Sequence, residues 1–281
     1  MVPSPTPLLE WTLEKSHSDL SIYRSGRNLK IVLGRPKNGN ALTANMVEQV
    51  TDCFRRSASD DSVSRIVITA EGRFFCTGMD LGKESSAVGK GGDAAGSEFA
   101  KFSELFETIR ASPKVTIAAI NGPCYAGGIG LAFSCDIRLA VGNASATLSE
   151  VKLGLCPAII SKYLLHEWGV AFTREAMLSG RTIPMAELRY IGTVHGLADD
   201  PAGLDRMVDS YLADLRRCAP GASALCKDAV RAGGQADQEE VIEGIFRRMM
   251  RPDAESAIGL RNFQAKKPTD WDMLDTVSSK L

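Results

Sequence analysis

Hydrophobic and polar positions change their period along the chain. Short runs such as Arg65–Ala70 (RIVITA) and Lys114–Ile120 (KVTIAAI) are rich in β-branched residues and end at turn-forming residues, which predicts buried strands. Leu8–Leu33 alternates as strands do, and Thr43–Ser57 has the period of an amphipathic helix. Strands and helices are therefore predicted to alternate up to about residue 155, so the chain is an α/β protein by this criterion.

From Ile159 onward the pattern is almost wholly helical. The predicted segments are Ile159–Trp168, Phe172–Ser179, Met185–Ile191, Leu204–Cys218, Ala222–Arg231, Gln238–Met250 and Ala254–Gln264. With 281 residues and 44% hydrophobic content the chain can bury a full core. We therefore predict a β/α core over residues 1–200 and a helical C-terminal region over residues 201–281.

Two predicted strands end in turns built from small residues. Lys114–Ile120 leads into NGPCYAGG and a short helical segment at Ile129–Ser134, and Arg65–Ala70 leads into GRFFCTGMDL. Such turns and helix starts expose unpaired backbone N–H groups, which stabilise an oxygen that gains negative charge. Gly82–Gly96 follows the second turn without an apolar period, which predicts a loop covering the pocket.

Four segments together resemble the crotonase (enoyl-CoA hydratase/isomerase) superfamily: RPKNGNALTANM, GRFFCTGMDL, NGPCYAGG and SEVKLGLCPA, in the family's order. The resemblance spans Asn28 to Lys267. It implies a spiral of ββα units whose C-terminal helices assemble trimers that often pair into hexamers. It also implies that the thioester carbonyl of an acyl-CoA lies between the backbone amides of Met79 and Gly127, where an enolate is stabilised.

The resemblance also indicates the catalytic carboxylate. Family hydratases use two glutamates, and here the first of these positions is Gly130, so only Glu150 remains. Hydration needs proton transfer at both the water and the α carbon, whereas moving a double bond from the 3,4 to the 2,3 position needs one base. NGPCYAGGIGL and SEVKLGLCPAIISKYL resemble a hydratase branch that acts on 3-methyl-branched acyl-CoAs and also lacks the first glutamate. Reversible hydration is therefore the first prediction, and Δ3,Δ2-enoyl-CoA isomerisation is the alternative.

The resemblance further implies a set of residues that contact substrate or CoA. Those in the β/α core are Lys37, Ala41, Met79, Asp80, Leu81 and Gly127. Phe263 and Lys266 match a C-terminal block that reaches the CoA of a neighbouring subunit, although an exposed basic helix end would give the same pattern. The acyl chain is expected to contact Cys124, Tyr125, Ile129, Cys156, Ile159 and Ile160.

Composition excludes several other classes. The net charge of −1 gives no electrostatic footprint for nucleic acid, so RNA binding, which has a precedent in the family, stays a minor alternative. Seven dispersed cysteines without a Cys-x-x-Cys pair favour neither a disulfide scaffold nor a zinc site. No Gly-x-Gly-x-x-Gly motif and no apolar run near ~20 residues occur, so we expect no dinucleotide, metal or other cofactor and no membrane span. The CoA thioester enters as substrate.

The chain ends in Ser279-Lys280-Leu281, the tripeptide S-K-L that a peroxisomal import receptor reads. Nothing at the N-terminus resembles a signal or transit peptide. We therefore expect a peroxisomal or glycosome-like location, with the import receptor as a partner.

Overall fold

The computed structural model describes residues 8–82 and 92–274. Its strands are β1 Thr12–Ser16, β2 Leu20–Ser25, β3 Asn28–Leu33, β4 Arg65–Ala70, β5 Val115–Ile120, β6 Cys124–Tyr125, β7 Ile137–Val141, β8 Ser145–Thr147, β9 Thr182–Pro184 and β10 Gly196–Ala198. Its α-helices are α1 Ala44–Ala58, α2 Gly92–Arg110, α3 Gly127–Phe133, α4 Ala158–Ser179, α5 Met185–Tyr190, α6 Pro201–Leu215, α7 Pro220–Ala232, α8 Gln238–Met249 and α9 Glu255–Gln264. Short 3-10 helices cover Pro36–Asn38 and Ser149–Leu153.

The strands form two sheets. The larger has the order β1-β2-β3-β4-β5-β7-β10, antiparallel between β1, β2 and β3 and parallel from β3 onward. The smaller has the order β6-β8-β9. Strand β4 is buried at nearly every position, which explains its continuous apolar sequence, because the central strands of a parallel sheet are covered on both faces. The predicted α/β class is confirmed.

The C-terminal half is helical, as its periodicity predicted. Helix α4 joins two predicted segments across a kink at Gly169, whose φ of 73° is not helical. Helix α6 adds Leu204, Val208 and Leu212 to the same hydrophobic core that the sheet residues form. The division at residue 200 stays a prediction. No helix in the described ranges is long and apolar enough to cross a bilayer.

The predicted loop at Gly82–Gly96 is wrong in its second part. Residues 83–91 lie outside the described ranges, but helix α2 already begins at Gly92. The first turns of α2 contain glycine and alanine and few large apolar residues, so their own sequence does not indicate a helix. Further along α2, Leu105, Phe106 and Ile109 are fully buried, so packing onto the core stabilises the helix against weak local propensity.

Two ion pairs with little exposure to solvent join the C-terminal region to the core. The Arg65 guanidinium at the start of β4 is 2% exposed, and its Nη1 donates to both carboxylate oxygens of Asp272 at 3.0 Å. The Lys227 ammonium on α7 donates to Asp136 at 2.7 Å, and Asp136 also accepts from the Thr116 backbone amide. These contacts hold α7 and the segment after α9 against the core of the same chain.

Candidate functional site

The two glycine turns beyond β4 and β5 pack backbone against backbone. A Cβ atom at Gly128 would lie 2.1 Å from the Cys76 carbonyl oxygen, and one at Gly122 would lie 2.0 Å from that of Arg73. A Cβ at Gly78, whose φ is +92°, would lie 2.9 Å from the Gly127 nitrogen. Side chains at these positions would separate the turns, so glycine is required for the close approach.

This approach brings together the backbone amides of Met79 and Gly127. The Cβ position at Gly127 is 3.6 Å from the Met79 nitrogen. Within residues 8–82 and 92–274, neither amide donates a hydrogen bond to a protein acceptor. Ala126, which precedes α3, has φ +47° and ψ −123°, a conformation that is unfavourable for alanine. This residue immediately precedes Gly127, whose amide is the first of α3.

The loop before α1 supports the Met79 turn. The side chain of Asn40 is fully buried and donates to the carbonyl oxygens of Glu71 and Phe74 at 2.9 and 2.8 Å. The Arg35 guanidinium donates to Asp80 at 2.9 Å. On either side of Met79, the Gly78 carbonyl accepts from Leu42 and the Asp80 amide donates to Leu42. These bonds fix the turn. The Met79 amide lies between them and takes no part in the pairing with Leu42.

A cavity of about 680 Å³ opens onto both amides. Its wall is mainly apolar and comes from the two turns, one face of α2, the Ser149–Leu153 helix and the start of α4. The residues that the sequence predicted to contact the acyl chain divide into two groups. Tyr125, Cys156, Ile159 and Ile160 line the cavity. Cys124 and Ile129 are fully buried in the core and do not line it, which corrects that prediction.

Glu150 lies in this cavity, on the 3-10 helix Ser149–Leu153. Its side chain is half-buried, and its Oε2 atom is buried without a hydrogen-bond partner in the described part of the chain. Burial raises the pKa of Glu150 because it penalises the charged form, and a backbone hydrogen bond opposes this shift only in part. A carboxylate with a raised pKa and a free oxygen is suited to proton transfer.

Gly130 faces side chains that occupy the space a second carboxylate would need. A Cβ at Gly130 would lie 2.3 Å from Cγ2 of Ile160 and 2.9 Å from Cζ of Phe106. Both of these residues also line the cavity. The wall beside α3 is therefore apolar and closed, so no larger side chain can be accommodated at position 130 without repacking.

The other predicted contact residues differ in whether they line the cavity. Leu81 lines it, whereas Asp80 faces Arg35 and is not among the lining residues. Lys37 is exposed on the 3-10 helix Pro36–Asn38, and Ala41 is partly exposed beside it. Phe263 at the end of α9 is 80% exposed, and Lys266 follows it on the surface. Neither Phe263 nor Lys266 lines the cavity of this chain.

Sequence reasoning missed the contribution of α2. This helix presents Ala95, Glu98, Phe99, Phe102 and Phe106 to the cavity. Their spacing of three and four residues is a helical stripe that could have been found from Phe99 onward. The glycines near this stripe are typical of loops, so they outweigh the helical spacing in a prediction from sequence.

Comparisons with known proteins agree with the fold. Residues 26–273 match the family described as Enoyl-CoA hydratase/isomerase. The enoyl-CoA hydratase AKT6-1 of Alternaria alternata is 38% identical over 271 residues, which are 95% of this chain and 89% of that protein. The carnitinyl-CoA dehydratase of Proteus mirabilis is 33% identical over 79% of this chain and 83% of its own length.

Solved structures resemble the chain as a whole. Pseudomonas aeruginosa AtuE superimposes with a TM-score of 0.86 at 27% identity, covering 91% of this chain and all of that one. An enoyl-CoA hydratase/isomerase from Marinobacter aquaeolei gives a TM-score of 0.82 at 28% identity, again over 91% of this chain and 100% of its own. The expected arrangement of ββα units with a helical C-terminal region is confirmed.

Adding one methyl group at position 130 tests whether the wall is closed. We expect Gly130→Ala to lower the free energy of unfolding by about 2 kcal/mol, because Ile160 and Phe106 must move. The double variant with Ile160→Ala should recover part of that loss relative to the sum of the single variants. Gly244→Ala, on α8 with open space around it, is the matched control and should not destabilise. Equal effects at the two glycines in chemical denaturation would contradict the closed wall.

Replacing Glu150 by glutamine should stabilise the protein at alkaline pH. Because burial raises the pKa of Glu150, the stability that its protonated form contributes is complete below the ordinary glutamate pKa and is lost as pH rises through the raised value. Thermal unfolding should show a higher Tm for Glu150→Gln at about pH 8, and this advantage should disappear near about pH 4. The exposed Glu243→Gln is the control. A Tm difference for Glu150→Gln that does not change with pH would contradict the assigned cause.

Proposed function

The chain belongs to the enoyl-CoA hydratase/isomerase family, and on that basis we propose that it catalyses the reversible hydration of a 2-enoyl-CoA with Glu150 as acid and base. The observation that carries the proposal is that two backbone amides and a half-buried carboxylate meet at one cavity. Among the described residues, the amides of Met79 and Gly127 have no acceptor and one oxygen of the Glu150 carboxylate has no donor. An acyl-CoA enzyme of this family needs both elements at the thioester.

In the proposed mechanism the thioester carbonyl oxygen accepts hydrogen bonds from the amides of Met79 and Gly127. Glu150 takes a proton from water while the oxygen of that water bonds to C3 of the enoyl chain. The electron pair of the double bond moves to the thioester oxygen, where the two amides stabilise the enolate. The proton on Glu150 is then transferred to C2, which gives the 3-hydroxyacyl-CoA and returns Glu150 to its ionised form. The reverse sequence is dehydration.

One observation favours the alternative, Δ3,Δ2-enoyl-CoA isomerisation. Phe106 and Ile160 close the space at Gly130, so Glu150 is the one carboxylate that the described residues supply beside the two amides. A single base that removes a proton at C2 and returns it at C4 would suffice for that reaction. A 3-methyl-branched enoyl chain also remains within the proposal, because the cavity wall is apolar on several sides.

Binding of the remainder of the substrate is also proposed. Lys37 and Ala41 lie on the surface beside the Met79 turn, where they would contact the nucleotide end of CoA. Leu81 would contact the pantetheine or acyl portion, and Asp80 would act through Arg35 to hold the turn. Exposed Phe263 and Lys266 would reach the CoA of a neighbouring subunit, which requires a trimer or a pair of trimers.

The product mass distinguishes the two reactions. The purified chain is incubated with trans-2-, trans-3- and 3-methyl-branched enoyl-CoAs and analysed by mass spectrometry. A product heavier by one water supports hydration, whereas an unchanged mass with a shifted double bond supports isomerisation. In either case Glu150→Gln should lower kcat/KM by about 10³ while CoA-thioester binding persists, because an uncharged amide cannot accept the proton. Glu243→Gln is the surface control, and turnover near wild type in Glu150→Gln would overturn the proposal.

We also propose a peroxisomal or glycosome-like location, which rests on Ser279, Lys280 and Leu281. These residues lie outside the described ranges. A fluorescent protein fused to the N-terminus of the full chain should accumulate in punctate organelles that contain a peroxisomal marker. Deleting the last three residues should make the signal diffuse, because the receptor reads a free C-terminal tripeptide. Punctate signal without the tripeptide would overturn this assignment.

A further inference from the structure

Helix α2 forms one long side of the cavity. Its lining residues Ala95, Glu98, Phe99, Phe102 and Phe106 are spaced so that they share one face of the helix. Phe102 and Phe106 are buried with their ring centroids 6.2 Å apart, and Phe99 is 56% exposed. The stripe therefore runs from the interior of the protein at Phe106 to the surface near Ala95.

The inner end of the stripe lies against α3. Phe106 contacts the Gly130 position on α3, the helix whose first amide, that of Gly127, is proposed to bind the thioester oxygen. Glu98 is eight residues before Phe106 on α2. At 1.5 Å per helical residue, this spacing places Glu98 roughly 12 Å along the helix axis from Phe106, a distance that an extended chain of roughly ten carbons covers.

Glu98 is an acidic residue near the outer end of the otherwise apolar stripe. Besides Glu150, it is the one carboxylate among the described residues that line the cavity. Its side chain is half-buried, and it also interacts within the protein. An ionised carboxylate accepts hydrogen bonds at about four positions and donates none, so it can bind a further donor. The separation of about 12 Å from Phe106 is too long for Glu98 to act on C2 or C3.

We propose that Glu98 selects the substrate, and that the acyl chain this site takes is of medium length and carries a hydroxyl group near its far end. The inference rests on the proposed function, because the reacting end of the chain must be held at Met79 and Gly127. Phe106, Phe102 and Phe99 cover the hydrocarbon portion, and the distal hydroxyl donates to the Glu98 carboxylate. A chain that ends in a carboxylate is disfavoured at this position by like-charge repulsion.

Because Glu98 is charged, we expect kcat/KM to depend on the group at the far end of the acyl chain. Four 2-enoyl-CoAs are compared by kcat/KM: a four-carbon chain, a ten-carbon chain, its ω-hydroxy derivative and its ω-carboxy derivative. Wild type should prefer the ω-hydroxy chain to the plain ten-carbon chain by about tenfold, as a hydrogen bond to a charged acceptor provides. The ω-carboxy chain should be the poorest of the three long substrates.

Substitutions at Glu98 should change these ratios and leave the short substrate unaffected. Glu98→Leu should abolish the preference for the hydroxyl group, and Glu98→Gln should improve turnover of the ω-carboxy chain because the repulsion is removed. Both should leave kcat/KM for the four-carbon chain within about twofold of wild type, since that chain does not reach position 98. Glu104→Gln, on an exposed face of the same helix, is the matched control and should leave all ratios unchanged.

The outcomes separate this inference from the function on which it rests. Wild type that converts the four-carbon and ten-carbon chains but does not prefer the hydroxylated one overturns the inference and leaves the proposed function intact. A preference that persists in Glu98→Leu overturns the assignment to this residue. Failure of wild type to convert any enoyl-CoA overturns the proposed function, and the inference with it.

Discussion

The contact between two backbone turns is the constraint on which the site depends. The turns after β4 and β5 approach so closely that a Cβ at Gly128 or Gly122 would lie about 2 Å from a carbonyl oxygen. This approach is possible because β4 and β5 are adjacent and parallel, so both chains leave the sheet at the same edge. The amides of Met79 and Gly127 are consequently presented to one cavity by rigid backbone rather than by mobile side chains.

The same packing explains the difference between the two ends of the cavity. Beside the amides, Phe106 and Ile160 fill the position where related hydratases are expected to carry a glutamate, and Glu150 is the carboxylate to which we assign the proton transfer. Further out, the wall is formed by α2 and becomes more exposed. The proposed chemistry therefore belongs to the inner, mainly apolar part of the cavity, where burial raises the pKa of Glu150.

How far the sequence predicts the structure differs among the elements. The strands Arg65–Ala70 and Lys114–Ile120 and the C-terminal helices were found within a few residues, because buried parallel strands and amphipathic helices have distinct periods. The prediction of a loop at Gly82–Gly96 is wrong for the part that belongs to α2, because a glycine-rich segment gives no local helical signal and the helix forms through contacts of Phe106 and its neighbours with the core. Cys124 and Ile129 were placed on the cavity wall, since the sequence does not reveal which face of a short element points inward.

The sequence by itself determined the fold class and the two glycine turns, because each of these is a local pattern. Its resemblance to the family, rather than any local pattern, indicated that Gly130 replaces a glutamate and that Glu150 is the candidate base. Only the tertiary structure decided that Ile160 and Phe106 close the space at Gly130, that Oε2 of Glu150 has no hydrogen-bond partner among the residues the structure describes, and that Glu98 lines the same cavity. These facts depend on contacts between segments far apart in the chain. Such contacts follow from packing in three dimensions, which no local periodicity specifies.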